Sequence, residues 1–213
     1  MSFLSRAYWR AVKSQNLTEF EENIQYARSL IAGGLALQSL QNFPAHPEDL
    51  YRAALIQAVS AMDHWLHDEI ITRAIVLAND IGNPRPQSMK NLKMPFEMVE
   101  RTRKDGIHVV FRDFLEQEFQ RRSFHGTTDI SDGMKLVCHL TSDQIWNAMG
   151  RAFSMTGQQV KQRHSDVIKR RNDISHRADR NELGHRQPMT DGEAAADVDW
   201  IDSLVHELHG LLG

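Results

Sequence analysis

The chain has one cysteine, Cys138, among its 213 residues, so no internal disulfide can hold it together and a reducing compartment is its expected address. It has no apolar run near the roughly 20 residues that a membrane-spanning helix needs. Even the stretch from Ile70 to Ala78 is interrupted by Thr72 and Arg73. No basic, apolar and small-residue series opens the chain as a secretory signal would, and the expectation is a cytoplasmic protein with no membrane partner. An excess of one charge is missing too. A formal net charge of −3 and a pI near 6.4 exclude a basic field over the whole surface, and with it tight nonspecific duplex binding. Any nucleic-acid contact has to be local. There is no phosphate-cradling glycine loop, no dinucleotide fingerprint and no Gly-x-Ser-x-Gly elbow, which removes the common nucleotide-binding and serine-hydrolase classes. Internal repeats and low-complexity segments are absent as well.

What is present reads as helix. With 41% hydrophobic residues the chain can build one substantial core, and disorder of the whole is excluded. Thr18 followed by Glu21 predicts a capped helix start, after which Phe20, Ile24, Ala27, Leu30, Ile31, Leu35 and Leu37 keep helical spacing, interrupted at Gly33 and Gly34. Pro47 suits a first helical turn, and Tyr51, Leu55, Ala58, Val59, Met62, Leu66 and Ile70 mark an apolar face. This helix should stop near Asn79, before Gly82, Asn83, Pro84 and Pro86. Residues 83–140 are less regular, with helical pieces near Phe96 to Arg103 and Ile107 to Phe119, and a Gly-Thr-Thr-Asp surface loop after His125. Helical patterning returns from Ser142 to Phe153 and again after Thr156 and Gly157. A last helix opens on a Thr190–Glu193 capping box and carries Val198, Ile201, Val205, Leu208 and Leu212.

One arginine falls on an apolar face. From Val160 the stripe reads Val160, Val167, Ile168, Ile174 and Ala178, with His164 beside it, and at about 100° per residue Arg171 lies in its middle. Lys161, Gln162, Asp166, Lys169, Arg170 and Asp173 fall on the other side. An arginine in such a place needs a carboxylate, a backbone acceptor or an anionic ligand. The structural reading is an ion pair or a side chain that snorkels to solvent; the functional one is a phosphate clamp. Its company favours the second: Arg171, Asn172, Asp173, Ile174, Ser175, His176, Arg177, Ala178, Asp179. An imidazole near neutral pKa can move a proton and a guanidinium can hold the charge that develops on phosphorus, so RNA could be cut by its own 2′-hydroxyl with no metal or cofactor. Asn172, four residues before His176, could fix the imidazole, bind a phosphate oxygen or simply be solvated. Lys169, Arg170, Arg171, Arg177 and Arg180 outnumber Asp173 and Asp179, a local basic surplus that would draw RNA.

This segment resembles the HEPN superfamily of helical ribonuclease domains, whose signature is arginine, a gap of four to six residues, then histidine; here Arg171 and His176, with Asn172 the polar residue after the arginine. Several other pairs, such as Arg101 with His108 and Arg180 with His185, fit the bare spacing. Arg171 is favoured by its asparagine, its late position and its place within an amphipathic helix, although Arg180 too is followed by an asparagine, Asn181. The surrounding residues, and Met62-Asp63-His64-Trp65-Leu66-His67-Asp68 earlier, look like the RiboL-PSP branch. The resemblance implies a single all-α domain over residues 1–213, an antiparallel helical bundle in which residues 83–140 are a branch-specific insertion. It implies a metal-independent endoribonuclease, a homodimer with a shared cleft, and a toxin or antiphage defence role under an antitoxin or defence-system partner. In this reading Arg171, Asn172 and His176 are catalytic, while Asp63, His67, Asp173, Arg170 and Arg177 support the site or bind RNA. Ala178 stands where some HEPN toxins carry a tyrosine that a partner modifies, so that mode of control is not expected.

Helix geometry adds to the dimer expectation. On one straight helix Arg171 and His176 point roughly 140° apart, too far to grip one phosphate together. Two copies facing each other would solve this. Competing constellations are weaker. His64 and His67 could seed a zinc site but have no matched ligand pair. His206, Glu207, Leu208 and His209 miss the zinc-protease spacing by one residue. Cys138 beside His139 reads as a buried thiol. The competing functions are a noncatalytic helical module that binds RNA, nucleotide or protein, and a DNA-binding regulator, against which the acidic balance and missing recognition helix weigh.

Overall fold

The computed structural model describes residues 3–40, 46–80, 82 and 84–212, with side chains from residue 15 onward. Among them the chain is all-helical: α1 (Phe3–Gln38), α2 (Pro47–Asn79), α3 (Gln87–Lys90), α4 (Phe96–Asp105), α5 (Ile107–Phe119), α6 (Thr127–Val137), α7 (Ser142–Ala152), α8 (Gly157–Arg177) and α9 (Asp191–Leu212). A lone antiparallel bridge joins Arg180 to Arg186. No helix among the described residues is long and apolar enough to cross a membrane.

The axis of the molecule is α2. It starts at Pro47, with Glu48 and Asp49 at the positive end of the helix dipole, and it stops at Asn79 as expected; Asn83 lies outside the described residues. Its apolar residues spread over more than one face. Tyr51, Ala54, Leu55, Ala58, Val59, Met62, Leu66 and Ile70 are all fully buried, and a helix that is apolar so far round has to be covered by others. α1, α5, α6, α8 and α9 all pack on it. Each large side chain so buried contributes about 1.5–3 kcal/mol, which makes α2 the main source of cohesion.

Three local expectations need correction. α1 runs unbroken through Thr18 and through Gly33 and Gly34, so the capping pattern is interior to a helix. Gly34 is there for close approach: a Cβ at this position would run into the Tyr51 ring of α2. The Gly-Thr-Thr-Asp stretch is no loop, because Gly126 caps α6 and Thr127, Thr128 and Asp129 form its first turn. Small and acidic residues serve turns and helix starts alike. Ala178 does not extend the α8 stripe; it is exposed and left-handed, at φ 50°. Residues 83–140, expected as an insertion, place Phe111, Phe114, Leu115, Phe119, Phe124, Ile130 and Met134 in the same core as α2. α3 had no periodicity to announce it.

Capping boxes set the starts of the late helices. Thr141 pairs with Gln144 before α7, Thr156 with Gln159 before α8, and Thr190 accepts from Glu193 N at 3.2 Å before α9. The end of α8 is more unusual. Ala178 and Asp179 are consecutive non-glycine residues at φ 50° and 57°, a conformation costing about 1–3 kcal/mol each. Buried ion pairs hold it. The Asp179 carboxylate, 0% exposed, accepts from Arg52 Nε of α2 at 2.6 Å and lies 2.5 Å from Arg170 Nη1 of α8. The same arginines donate onward to Gln187 O at 2.6 Å and Pro188 O at 2.9 Å, which fastens the returning segment 178–190 to both helices. Asp179→Ala takes the shared buried acid from two guanidinium groups and is expected to lower stability by about 3 kcal/mol in urea unfolding at neutral pH. A loss under 1 kcal/mol would show that the pairs do not hold the turn.

Candidate functional site

α8 brings Arg171 and His176 to the surface in different ways. His164, Val167 and Ile168 bury that face of the helix inside the chain, so the stripe needs no second copy to cover it. Arg171, seven residues after His164 and therefore on the same face, reaches only the edge and is half-buried. The arginine that pairs with a buried acid is its neighbour. Arg170, expected on the solvated side as an RNA contact, is spent on Asp179 and on the Pro188 carbonyl.

Arg171 is left without an acid. Its Nη1 donates to Asn172 Oδ1 at 3.1 Å, and its Nε is buried with no acceptor. The other arginines that are not exposed, Arg28, Arg52, Arg73, Arg85, Arg101, Arg163 and Arg170, each meet a carboxylate or a backbone carbonyl. Among the described residues Arg171 alone is neither exposed nor so matched. An unmade hydrogen bond on a buried N–H costs about 1–3 kcal/mol, and such a group calls for an explanation.

His176 lies on the other side. α8 continues without a break to Arg177, so the two side chains diverge as helix geometry requires, and His176 is exposed with no hydrogen bond among the described residues. Asn172 turns its oxygen to Arg171 and does not orient His176. Asp173 and Arg177 face each other loosely at 3.7 Å, the arginine largely in solvent. Asn172 and Asp173, with Lys169, Ser165 and Ile168, form one wall of a cleft of about 390 Å³ whose other wall is Gly126 to Asp129 at the start of α6.

Asp63 and His67, expected to support the site or bind RNA, bond to backbone and not to His176. Asp63 Oδ1 accepts from Phe124 N, and His67 Nε2 meets Arg122 O at 3.1 Å while its ring packs against Phe119 and Phe124. Both therefore hold the extended segment that leads into α6. From the opposite side His164 Nε2 bonds the His125 carbonyl at 2.6 Å. This segment delivers His125, a residue outside every motif of the sequence. Its imidazole is half-buried in the fields of Asp63, Arg171 and Asp129, and burial, more than any of these charges, pushes its pKa below the usual histidine value. No periodicity or spacing marks it. Only the tertiary hydrogen bonds place it beside Arg171.

The other constellations fall away from this site. A larger cleft, about 570 Å³, opens beside His67, lined by Asp68, Arg112, Asp113 and Glu116. His64 joins Asp68 at 3.4 Å, and with Glu19 these bring ligand atoms within 4.8 Å of one another at the surface; His67 is not part of that group. The Cys138 thiol is pushed up by burial, which disfavours the thiolate, and His139 bonds Pro84 O at 3.0 Å.

His164 carries a measurable signature. It is 0% exposed, and Trp200 Nε1–H reaches its Nδ1 at 3.4 Å while Nε2 serves the His125 carbonyl, so the ring is the neutral tautomer with its proton on Nε2. Burial pushes its pKa down to about 4. The unfolded chain takes up a proton here below pH 6.5 that the folded chain refuses until about pH 4. The stability is therefore present above pH 6.5 and lost as pH falls. About 2 kcal/mol should disappear between pH 7 and pH 5, and His164→Gln should remove that slope in urea titrations. An unchanged slope would mean that the folded ring takes up its proton as readily as the unfolded one.

Compared with protein-family models, with curated proteins and with solved structures, the chain matches none.

Proposed function

We propose that the chain is a metal-independent endoribonuclease of HEPN type, in which Arg171 holds the scissile phosphate. The observation that carries the reading is the unmatched guanidinium. A buried Nε–H without an acceptor and a cation without a carboxylate, next in the chain to Asn172 of the cleft wall, are what an anion site needs before its ligand arrives. The phosphate supplies both the charge and the acceptor. His176 is the motif's proton carrier, and because it diverges from Arg171 on an unbroken helix it would serve the Arg171 of a second copy in a homodimer. The products are a 2′,3′-cyclic phosphate and a 5′-hydroxyl.

A noncatalytic RNA-binding module is the second reading. His176 favours it, since nothing among the described residues orients that ring. One experiment separates the two. Cleavage of total RNA should persist in excess EDTA and fall by a factor of about a hundred or more in Arg171→Ala and in His176→Ala, with Arg171→Ala also weakening RNA binding. Activity that EDTA abolishes and a divalent ion restores would overturn the mechanism. Binding without cleavage by the unmodified protein would favour the module.

A further inference from the structure

We infer that His125 is a catalytic imidazole of this site, the base that takes the 2′-hydroxyl proton from the RNA whose phosphate Arg171 holds; this rests on the ribonuclease reading above. The fold needs the segment around His125 but not its side chain. Everything that fastens the segment is backbone or Phe124: Asp63 takes the Phe124 N–H, His67 meets the Arg122 carbonyl, His164 bonds the His125 carbonyl, and the Phe124 ring is 2% exposed in the core. The His125 ring makes no hydrogen bond or ion pair.

That idleness sets it apart. Among the described residues the other histidines whose rings make no hydrogen bond or ion pair are His46, His108, His176 and His185, and all four are exposed. His125 alone is held half-buried and unemployed. Desolvating an imidazole costs free energy, and here no bond offsets it. The position also fits. His164 and Arg171 share one face of α8, and His164 holds the His125 carbonyl, so His125 stands on the Arg171 side of the helix, where His176 does not point. The next residue, Gly126, opens the cleft that Lys169 and Asn172 line.

The charged and titratable groups whose fields reach this ring are Asp63 of α2, Asp129 of α6, and Arg171 and His164 of α8. Burial lowers its proton affinity, Arg171 lowers it further, and the two carboxylates partly restore it. The ring is therefore neutral near pH 7 and able to accept a proton. In the step, the 2′-oxygen attacks phosphorus as its proton passes to a His125 ring nitrogen. The O2′–P bond forms and the P–O5′ bond breaks, the departing O5′ takes a proton from His176 or water, and Arg171 holds the charge on the non-bridging oxygens. His125 then returns its proton to solvent.

The test compares unmodified protein, His125→Ala and His125→Gln on a labelled oligoribonucleotide. Both variants should keep the helical circular dichroism and the melting temperature, bind RNA within a few-fold of normal, and lose about a hundredfold or more in kcat. Added imidazole should restore part of the rate to His125→Ala, which a merely structural loss would not permit. In the unmodified protein kcat/KM should rise with pH to a midpoint below 6.5, and that midpoint should vanish in the variants. Equal cleavage by the variants and the unmodified protein overturns the role of His125 alone. So does a loss that imidazole does not rescue. If the unmodified protein cuts no RNA, the ribonuclease reading falls and this role with it.

Discussion

One buried carboxylate governs the arrangement at the end of α8. Asp179 receives Arg52 from α2 and Arg170 from α8, so one carboxylate pairs with two guanidinium groups. Removing such a pairing is costly because a charge left alone in the interior cannot be hydrated. The same interaction holds two left-handed residues, Ala178 and Asp179, at the point where the chain reverses directly after His176 and Arg177. It also decides which arginine is available. Arg170 and Arg171 are adjacent and chemically identical, yet the first is committed to Asp179 and the second has only the side-chain oxygen of Asn172.

Around Arg171 the site is assembled from three parts of the chain that are distant in sequence. α2 contributes Asp63 and His67, whose work is to hold the backbone of residues 122–124. α8 contributes His164, a neutral buried ring that ties the same segment from the other side. Between them the segment presents His125. His164 bonds the His125 carbonyl while Asp63 and His67 bond the residues just before it, so the backbone is fixed and the His125 ring makes no hydrogen bond of its own. The dependence on a neutral His164 also means that acid weakens the scaffold.

Much of the helix layout was legible in the sequence because it depends on local chemistry. Pro47 and the Thr190–Glu193 box each announce a start that their own neighbours complete. Arg171 was legible too, as a charge on an apolar face. What could not be read was partnership. Arg52 and Asp179 are 127 residues apart, so nothing in the α8 pattern shows that Arg170, on the apparently solvated side, is the one that pairs. Gly34 reads as a breaker because the Tyr51 ring that requires a glycine there belongs to another helix. His125 has no periodic context, and its significance arises only from hydrogen bonds made by Asp63 and His164. The spacing of Asp63 and His67 correctly marked a shared face, but not that the face binds backbone.

The central claim is that the Arg171 guanidinium is a phosphate site. The most direct measurement is the arginine Nε–H region of a proton–nitrogen correlation spectrum, with the Arg171 resonance assigned by its loss in Arg171→Lys, during titration with an oligonucleotide carrying 2′-deoxyribose at the scissile position. The account predicts that this resonance moves downfield to saturation as its buried Nε–H gains an acceptor, while those of Arg52 and Arg170 stay in place. An oligonucleotide that binds while the Arg171 resonance does not move would contradict it.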